Sequence, residues 1–283
     1  MRTDNDFPLP LDGVRYREHL DAAELKAIGA LAARCRRADG IDHPLHDEPE
    51  CSAILQYAAG ELIGVATLQH GAPIEACILV DPKMRRRDIG RRLYAAVLLE
   101  CQQRGSGLLL TVNDQSASGR EFAAAVGAGY EFSEYRMELV EAPRQSTWPV
   151  NIDIRDVGVA DAATFAEISA AAFGEPRAVT RIEAGIRAGR HRYYLGLLDG
   201  AAIACIRVNM DDGPIYVTSF AVRPEHQGRG YGRQILTRVV RTLASEDRPI
   251  MIEVATNNQN ALHLYRSCGF QIRVAFAYYR ARP

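Results

Sequence analysis

One stretch of this chain occurs twice. Asp81-Pro-Lys-Met-Arg-Arg-Arg-Asp-Ile-Gly-Arg-Arg-Leu-Tyr94 aligns with Arg223-Pro-Glu-His-Gln-Gly-Arg-Gly-Tyr-Gly-Arg-Gln-Ile-Leu236 when 142 is added to the first numbering, so Pro82 meets Pro224 and Gly90 meets Gly232. Leu55–Gly60 answers Leu195–Gly200, and Gly129-Tyr130 answers Gly269-Phe270, at offsets that drift by a residue or two. A repeat of this length is a domain, not a solenoid unit. The 283 residues therefore divide into domains 1–142 and 151–283 joined by a linker, 143–150, with Pro143 and Pro149 interrupting regular structure.

Apolar residues make up 47% of the chain and charged residues 24%, enough for two packed cores. The formal net charge of −1 supplies no pull toward nucleic acid or a membrane surface. The apolar runs, such as Ala95–Leu99, fall far short of the roughly 20 residues of a membrane span. The first ten residues hold acids and prolines where a signal peptide needs an apolar core, so a cytoplasmic location is expected. Six cysteines without CxxC spacing read as reduced thiols, and no metal site is expected.

Within the second copy, Ile152–Arg155 reads as a strand and Asp161 as the N-cap of helix Ala162–Ala172. Tyr193–Leu198 and Ala202–Met210 flank Asp199-Gly200, a two-residue hairpin turn. Ile215–Val222 is a β-branched strand, Gly232–Ala244 a helix, Ile250–Ala255 a strand, Asn260–Ser267 a helix and Gln271–Arg280 a strand. A mixed central sheet with a few helices, twice over, is α+β.

Between the strand and the helix lies Gln227-Gly-Arg-Gly-Tyr-Gly232. Glycines let successive backbone N–H groups turn inward, and a helix N-terminus adds partial positive charge, so the loop suits an anion such as a diphosphate. Val222-x-Pro224 followed by this loop resembles the [QR]xxGx[GA] signature of the GNAT acyl-CoA N-acyltransferases. Ile252-Glu253-Val254 followed by Asn258-x-x-Ala261-x-x-Leu264-Tyr265-x-x-x-Gly269-Phe270 resembles that family's second motif. The resemblance implies two tandem GNAT domains. It places acetyl-CoA against Phe220, Ala221 and Val222, its diphosphate on Gln227, Gly228, Arg229, Gly230, Tyr231, Gly232 and Arg233, and Asn258 beside it. Glu253 is implied as base and Tyr265 as acid to the leaving thiolate.

An alkyl ammonium with a pKa near 10 needs roughly 4 kcal/mol to be made neutral at pH 7, so a base helps. Tyr216, acting through water, is an alternative acceptor of that proton. Glu253 also admits a plain reading as a surface carboxylate paired with an arginine. In the first copy Thr111 stands opposite Glu253, Ala125 opposite Tyr265, and Asp88 opposite Gly230, with Arg85, Arg86, Arg87, Arg91 and Arg92 around it. The first domain is thus expected to be silent. The expected reaction is acetylation of a small-molecule primary amine, without nucleic acid or membrane partners. Acetylation of a protein N-terminus and non-catalytic acyl-CoA binding are the competing readings. Ala171–His191, with Arg177, Arg181, Arg187 and Arg190, is the expected lining of the acceptor site.

Overall fold

The computed structural model describes residues 13–45, 51–141, 143, 152–174, 178–189, 191–210 and 213–281. Position 142, the linker positions 144–150, the N-terminal ten residues, Arg177 and Arg190 lie outside the described residues.

The elements in chain order are β1 (Val14–Arg17), α1 (Ala22–Asp39), β2 (Ser52–Ala58), β3 (Glu61–Gln69), β4 (Ile74–Val80), α2 (Ile89–Arg104), β5 (Leu108–Asn113), α3 (Ala117–Ala125) and β6 (Gly129–Leu139). The second copy gives β7 (Ile152–Asp156), α4 (Ala162–Phe173), α5 (Val179–Ala188), β8 (His191–Leu198), β9 (Ala201–Asn209), β10 (Ile215–Val222), α6 (Tyr231–Leu243), β11 (Ile250–Ala255), α7 (Gln259–Ser267) and β12 (Phe270–Arg280). The α+β class holds, and most strands and helices of the second copy fall within a residue or two of expectation.

Two compact units emerge, and they do not follow the division at 142 and 151. One comprises residues 1–133 with 274–283; the other is Glu134–Arg273. The cause is strand pairing. From Val274 onward β12 joins the first unit, running antiparallel to β5 with Tyr278 opposite Thr111. From Glu134 onward β6 joins the second, running antiparallel to β11 with Arg136 opposite Glu253. The strand order is β1-β2-β3-β4-β5-β12 in the first unit and β6-β11-β10-β9-β8-β7 in the second. Each unit has one parallel pair, β4 with β5 and β10 with β11.

Each sheet buries both faces. In the second unit α6 and α7 cover a core that includes Val217, Leu236, Val240, Ile252, Tyr265 and Phe270, while α4 and α5 cover the other face with Phe165, Ile168, Ile182 and Cys205. In the first unit Leu93 and Val97 of α2 pack on Ile54, Leu68 and Ile74, and Ile28 and Leu31 of α1 pack on the opposite face with Leu55 and Val65. The hairpins turn alike: Asp199 and Gly200 both have positive φ (48° and 82°), as do Ala59 and Gly60 (49° and 81°). That is the I′ geometry, whose twist matches the strands it joins.

One local expectation is corrected, and one helix is added. Asp161 does not cap α4 with its side chain; its carboxylate accepts from the Gly158 N–H at 2.9 Å and pairs with Arg155 at 2.8 Å, closing the turn before the helix. The added helix is α5, within the stretch expected to line the acceptor site. It has no side-chain cap, and its apolar anchors are only Ile182 and Ile186, so its pattern is faint.

Candidate functional site

The strand β10 does not run true. It pairs with β9 in one register through Thr218 opposite Arg207, and in another from Ala221 opposite Cys205, with one extra residue between. Ser219 within the bulge has φ +50°. A bulge bends the strand and exchanges its faces. Val217 points into the core with Tyr265, whereas beyond the bulge it is Phe220 and Val222 that pack there, and Ala221 turns to the α4 face. The parallel ladder with β11 ends at Val217 opposite Ile252, so the strands part just before Glu253. The corresponding β4 holds one unbroken register against β3, from Gly64 opposite Val80 to Gln69 opposite Glu75.

After β10 the chain makes a single tight turn, Pro224–His226, and enters the glycine loop. The Gln227 side chain donates from Nε2 to the Val222 carbonyl at 2.9 Å, bracing the loop against the strand end. Gly228 and Gly230 adopt φ +74° and +80°, the left-handed region that glycine enters at no steric cost. Arg229 between them is exposed. No side chain caps the N-terminus of α6 and no acid sits in its first turn. By contrast, Asp21, Ser116 and Asn258 cap α1, α3 and α7. An uncapped N-terminus leaves backbone N–H groups without partners and favours an anion. The donor set present therefore fits the diphosphate of acetyl-CoA.

The first unit keeps the backbone of this loop and changes its chemistry. Arg86 and Asp88 take φ +61° and +59°, in the same left-handed region as the two glycines, and Arg85 Nε donates to the Val80 carbonyl at 3.2 Å as Gln227 does to Val222. Arg85 also grips Asp39 with both terminal nitrogens at 2.7 Å, and that guanidinium holds the Asp39 carboxyl below the ordinary carboxylate range. Arg85 is thus a brace and not a free cation beside Asp88. A cavity of about 390 Å³ lies in this unit where β4 and β5 part, lined by His43, Thr111, Asn113, Phe122 and Ala125 among others. The Thr111 hydroxyl is buried there without a hydrogen-bond partner.

The helix register corrects one pairing. Of Gly127 and Gly129, only Gly127 shares the positive φ of Gly269 (+75° against +93°), and α3 and α7 begin 142 residues apart. Ala123, not Ala125, is therefore the counterpart of Tyr265. The replacement is alanine either way.

Tyr265 is 7% exposed, in the core beside Phe220 (ring centroids 6.5 Å apart) and Phe270 (6.3 Å). Burial pushes its phenol well above its ordinary value, with the Cys268 thiol adding to the shift, so the hydroxyl keeps its proton and is able to donate it in a hydrogen bond. Cys268 is itself fully buried and its thiol is pushed up by burial, which suits no nucleophile. Asn258 accepts from the Ala261 N–H at 3.0 Å as the α7 cap, a role that accounts for its Oδ1 without a ligand. Glu253 stands on the opposite sheet face from Tyr265 and pairs with Arg136 at 2.9 Å. The arginine-paired reading of Glu253 is thus the observed arrangement, with its arginine supplied by β6. Arg181 and Arg187 lie on α5, where Arg187 pairs with Glu183 at 3.2 Å.

A family model described as "Acetyltransferase (GNAT) family" matches residues 162–270, and another described as "Acetyltransferase (GNAT) domain" matches residues 34–132. The mycothiol acetyltransferase of Kytococcus sedentarius is 28% identical over 91% of this chain and 94% of its own, and that of Clavibacter sepedonicus is 28% identical over 97% and 98%. Among solved structures, a GCN5-related N-acetyltransferase from Sphaerobacter thermophilus superposes with a TM-score of 0.79 at 20% identity, covering 96% of this chain and 97% of that one. A tandem GNAT protein from the clavulanic acid biosynthesis pathway superposes with a TM-score of 0.70 at 19% identity, over 95% and 99%.

Proposed function

The chain belongs to the GNAT family of acetyltransferases, which use acetyl-CoA, and it carries two such domains; from that premise we propose that only the second unit turns over. In this reading it moves the acetyl group of acetyl-CoA to a primary amine of a small molecule, by direct attack of the amine on the thioester. The observation that carries it is the gap where β10 and β11 part, with Glu253 on one side of the sheet and Tyr265 on the other. In this reading the thioester sits in that gap, between the two side chains.

Each residue then has a role. Phe220, Ala221 and Val222 offer backbone groups along the bulged strand to the pantetheine arm. The loop Gln227–Arg233 and the first turn of α6 receive the diphosphate, and Asn258 lies beside the cofactor. Acetyl-CoA supplies an acetyl group on a thiol leaving group. Glu253 takes the ammonium proton, directly or through water, with Tyr216 as the other acceptor on that face. Tyr265, kept protonated by burial, donates to the thiolate as it departs.

The similarity to mycothiol acetyltransferases over nearly the whole chain favours a mycothiol-related amine as acceptor. The first unit has a cavity but neither side chain: Thr111 and Ala123 replace Glu253 and Tyr265. The test is thiol release from acetyl-CoA with desacetylmycothiol, glucosamine and a peptide bearing a free N-terminus, for the unaltered enzyme and for Glu253→Gln combined with Tyr265→Phe. Turnover that survives the double substitution would move catalysis away from the second unit. A peptide acetylated in preference to both small amines would make this a protein acetyltransferase instead.

A further inference from the structure

The Glu253 carboxylate is held by a residue of the first repeat. Arg136 belongs to the stretch of β6 that enters the second unit, and it is the direct cross-strand neighbour of Glu253. Its Nε lies 2.9 Å from Glu253 Oε1, and its guanidinium carbon sits 5.7 Å from the centre of the Tyr216 ring. Tyr216 is on β10, beyond β11 in the strand order, so the Arg136 side chain lies across β11 to reach it. Three neighbouring strands thereby send Arg136, Glu253 and Tyr216 to one face, beside the end of the β10–β11 ladder. The pair is partly open to solvent, with side-chain exposures of 27% and 34%, so an incoming amine reaches it. At the same register in the first unit, Thr111 faces Tyr278, and no charge is present.

We propose that Arg136 is a positioning residue for the second unit's site. It fixes the Glu253 carboxylate at the mouth of the gap, and the Tyr216 ring fixes the guanidinium in turn through a cation–π contact. A glutamate side chain left to itself samples many rotamers, and ordering it is costly. A base displaced by an ångström can lose about a hundredfold in rate, which sets the scale of what such a brace supplies. The site of the second repeat is then incomplete without the first. This inference rests on the reading of Glu253 as the base.

The experiment is steady-state kinetics with acetyl-CoA and either desacetylmycothiol or glucosamine, for Arg136→Gln, Arg136→Lys, Glu253→Gln and the Arg136→Gln/Glu253→Gln pair. Arg136→Gln is expected to lower kcat by about 10- to 100-fold, leaving the KM for acetyl-CoA unchanged. Arg136→Lys, which keeps a cation but not the planar fork, recovers part of the loss. In the Glu253→Gln background Arg136→Gln adds nothing further, whereas a merely structural arginine would act additively and lower the melting temperature. Wild-type kcat in Arg136→Gln with an inactive Glu253→Gln overturns the positioning role and leaves the base in place. Wild-type kcat in both variants, or no acetylation of either amine by the unaltered enzyme, removes the reading of the site and the inference with it.

Discussion

Replacing Gly230 by aspartate imports the first repeat's residue into the second repeat's loop. The substitution is compatible with the backbone, because Asp88 holds φ +59° at the equivalent place where Gly230 holds +80°. Aspartate and asparagine are among the few side chains that enter this region routinely. What changes is charge. A carboxylate about 5 Å from a phosphate charge is repelled by about 3 kcal/mol at an effective dielectric near 20, and by about 0.8 kcal/mol in bulk water. The Asp88 side chain is 82% exposed, which places the environment nearer the water limit. An intermediate value of about 1.5 kcal/mol is a little over tenfold in affinity. Titration calorimetry with acetyl-CoA should therefore show Gly230→Asp binding roughly tenfold more weakly than the unaltered protein, and Gly230→Asn nearly as well as it. Raising the salt to about 0.5 M should close much of the difference between the two, since exposed charges are screened. Equal weakening by both substitutions would mean that shape and not charge governs the loop. No weakening by either would mean that the diphosphate lies elsewhere.

Tyr265→Phe should lower kcat by about 100-fold by removing the proton donor, with little change in acetyl-CoA affinity. The same variant tests the buried phenol. Its folded-state proton affinity is raised above the ordinary value of 10.0, so stability is fully present below pH 10 and falls as pH rises beyond it, when only the unfolded chain ionises. Melting temperatures between pH 9 and 11.5 should fall less steeply for Tyr265→Phe than for the unaltered protein. Gly269→Ala and Gly127→Ala form a matched pair: both glycines have positive φ, but a Cβ at Gly269 would come within 2.0 Å of the Glu141 carbonyl, whereas one at Gly127 meets open space. Chemical denaturation should show a loss of about 1 kcal/mol for Gly127→Ala and about 3 kcal/mol or more for Gly269→Ala.

Much of this fold was legible because the chain states it twice. The strands Ile215–Val222 and Ile250–Ala255 were read to the residue, since β-branched runs bounded by turn signals leave little choice. The loop was legible from its glycines, and its left-handed positions are where they stand. The bulge at Ser219 was not, because a serine with positive φ carries no signal distinct from any other serine in a strand. The pairing of Tyr265 with Ala125 slipped by two residues because two glycines stand near the start of β6 and only the backbone angle tells which matches Gly269. Arg136 is illegible for a different reason. Its partner lies 117 positions away, in the other repeat, and no local pattern announces a pairing of that range. The conflict at the Gly230 position was legible as chemistry but not as shape: Asp88 changes the charge of the first loop while leaving its path intact.

The crossing of β6 and β12 bears on how this gene can be cut. A break between the repeats would leave the N-terminal fragment without the edge that β12 supplies to β5, and the C-terminal fragment without the one that β6 supplies to β11. Neither piece is then a free-standing module, yet each carries what its counterpart lacks. Co-expressed halves should reconstitute one another where either alone stays insoluble, which makes this seam a natural place to split the protein into a conditional pair.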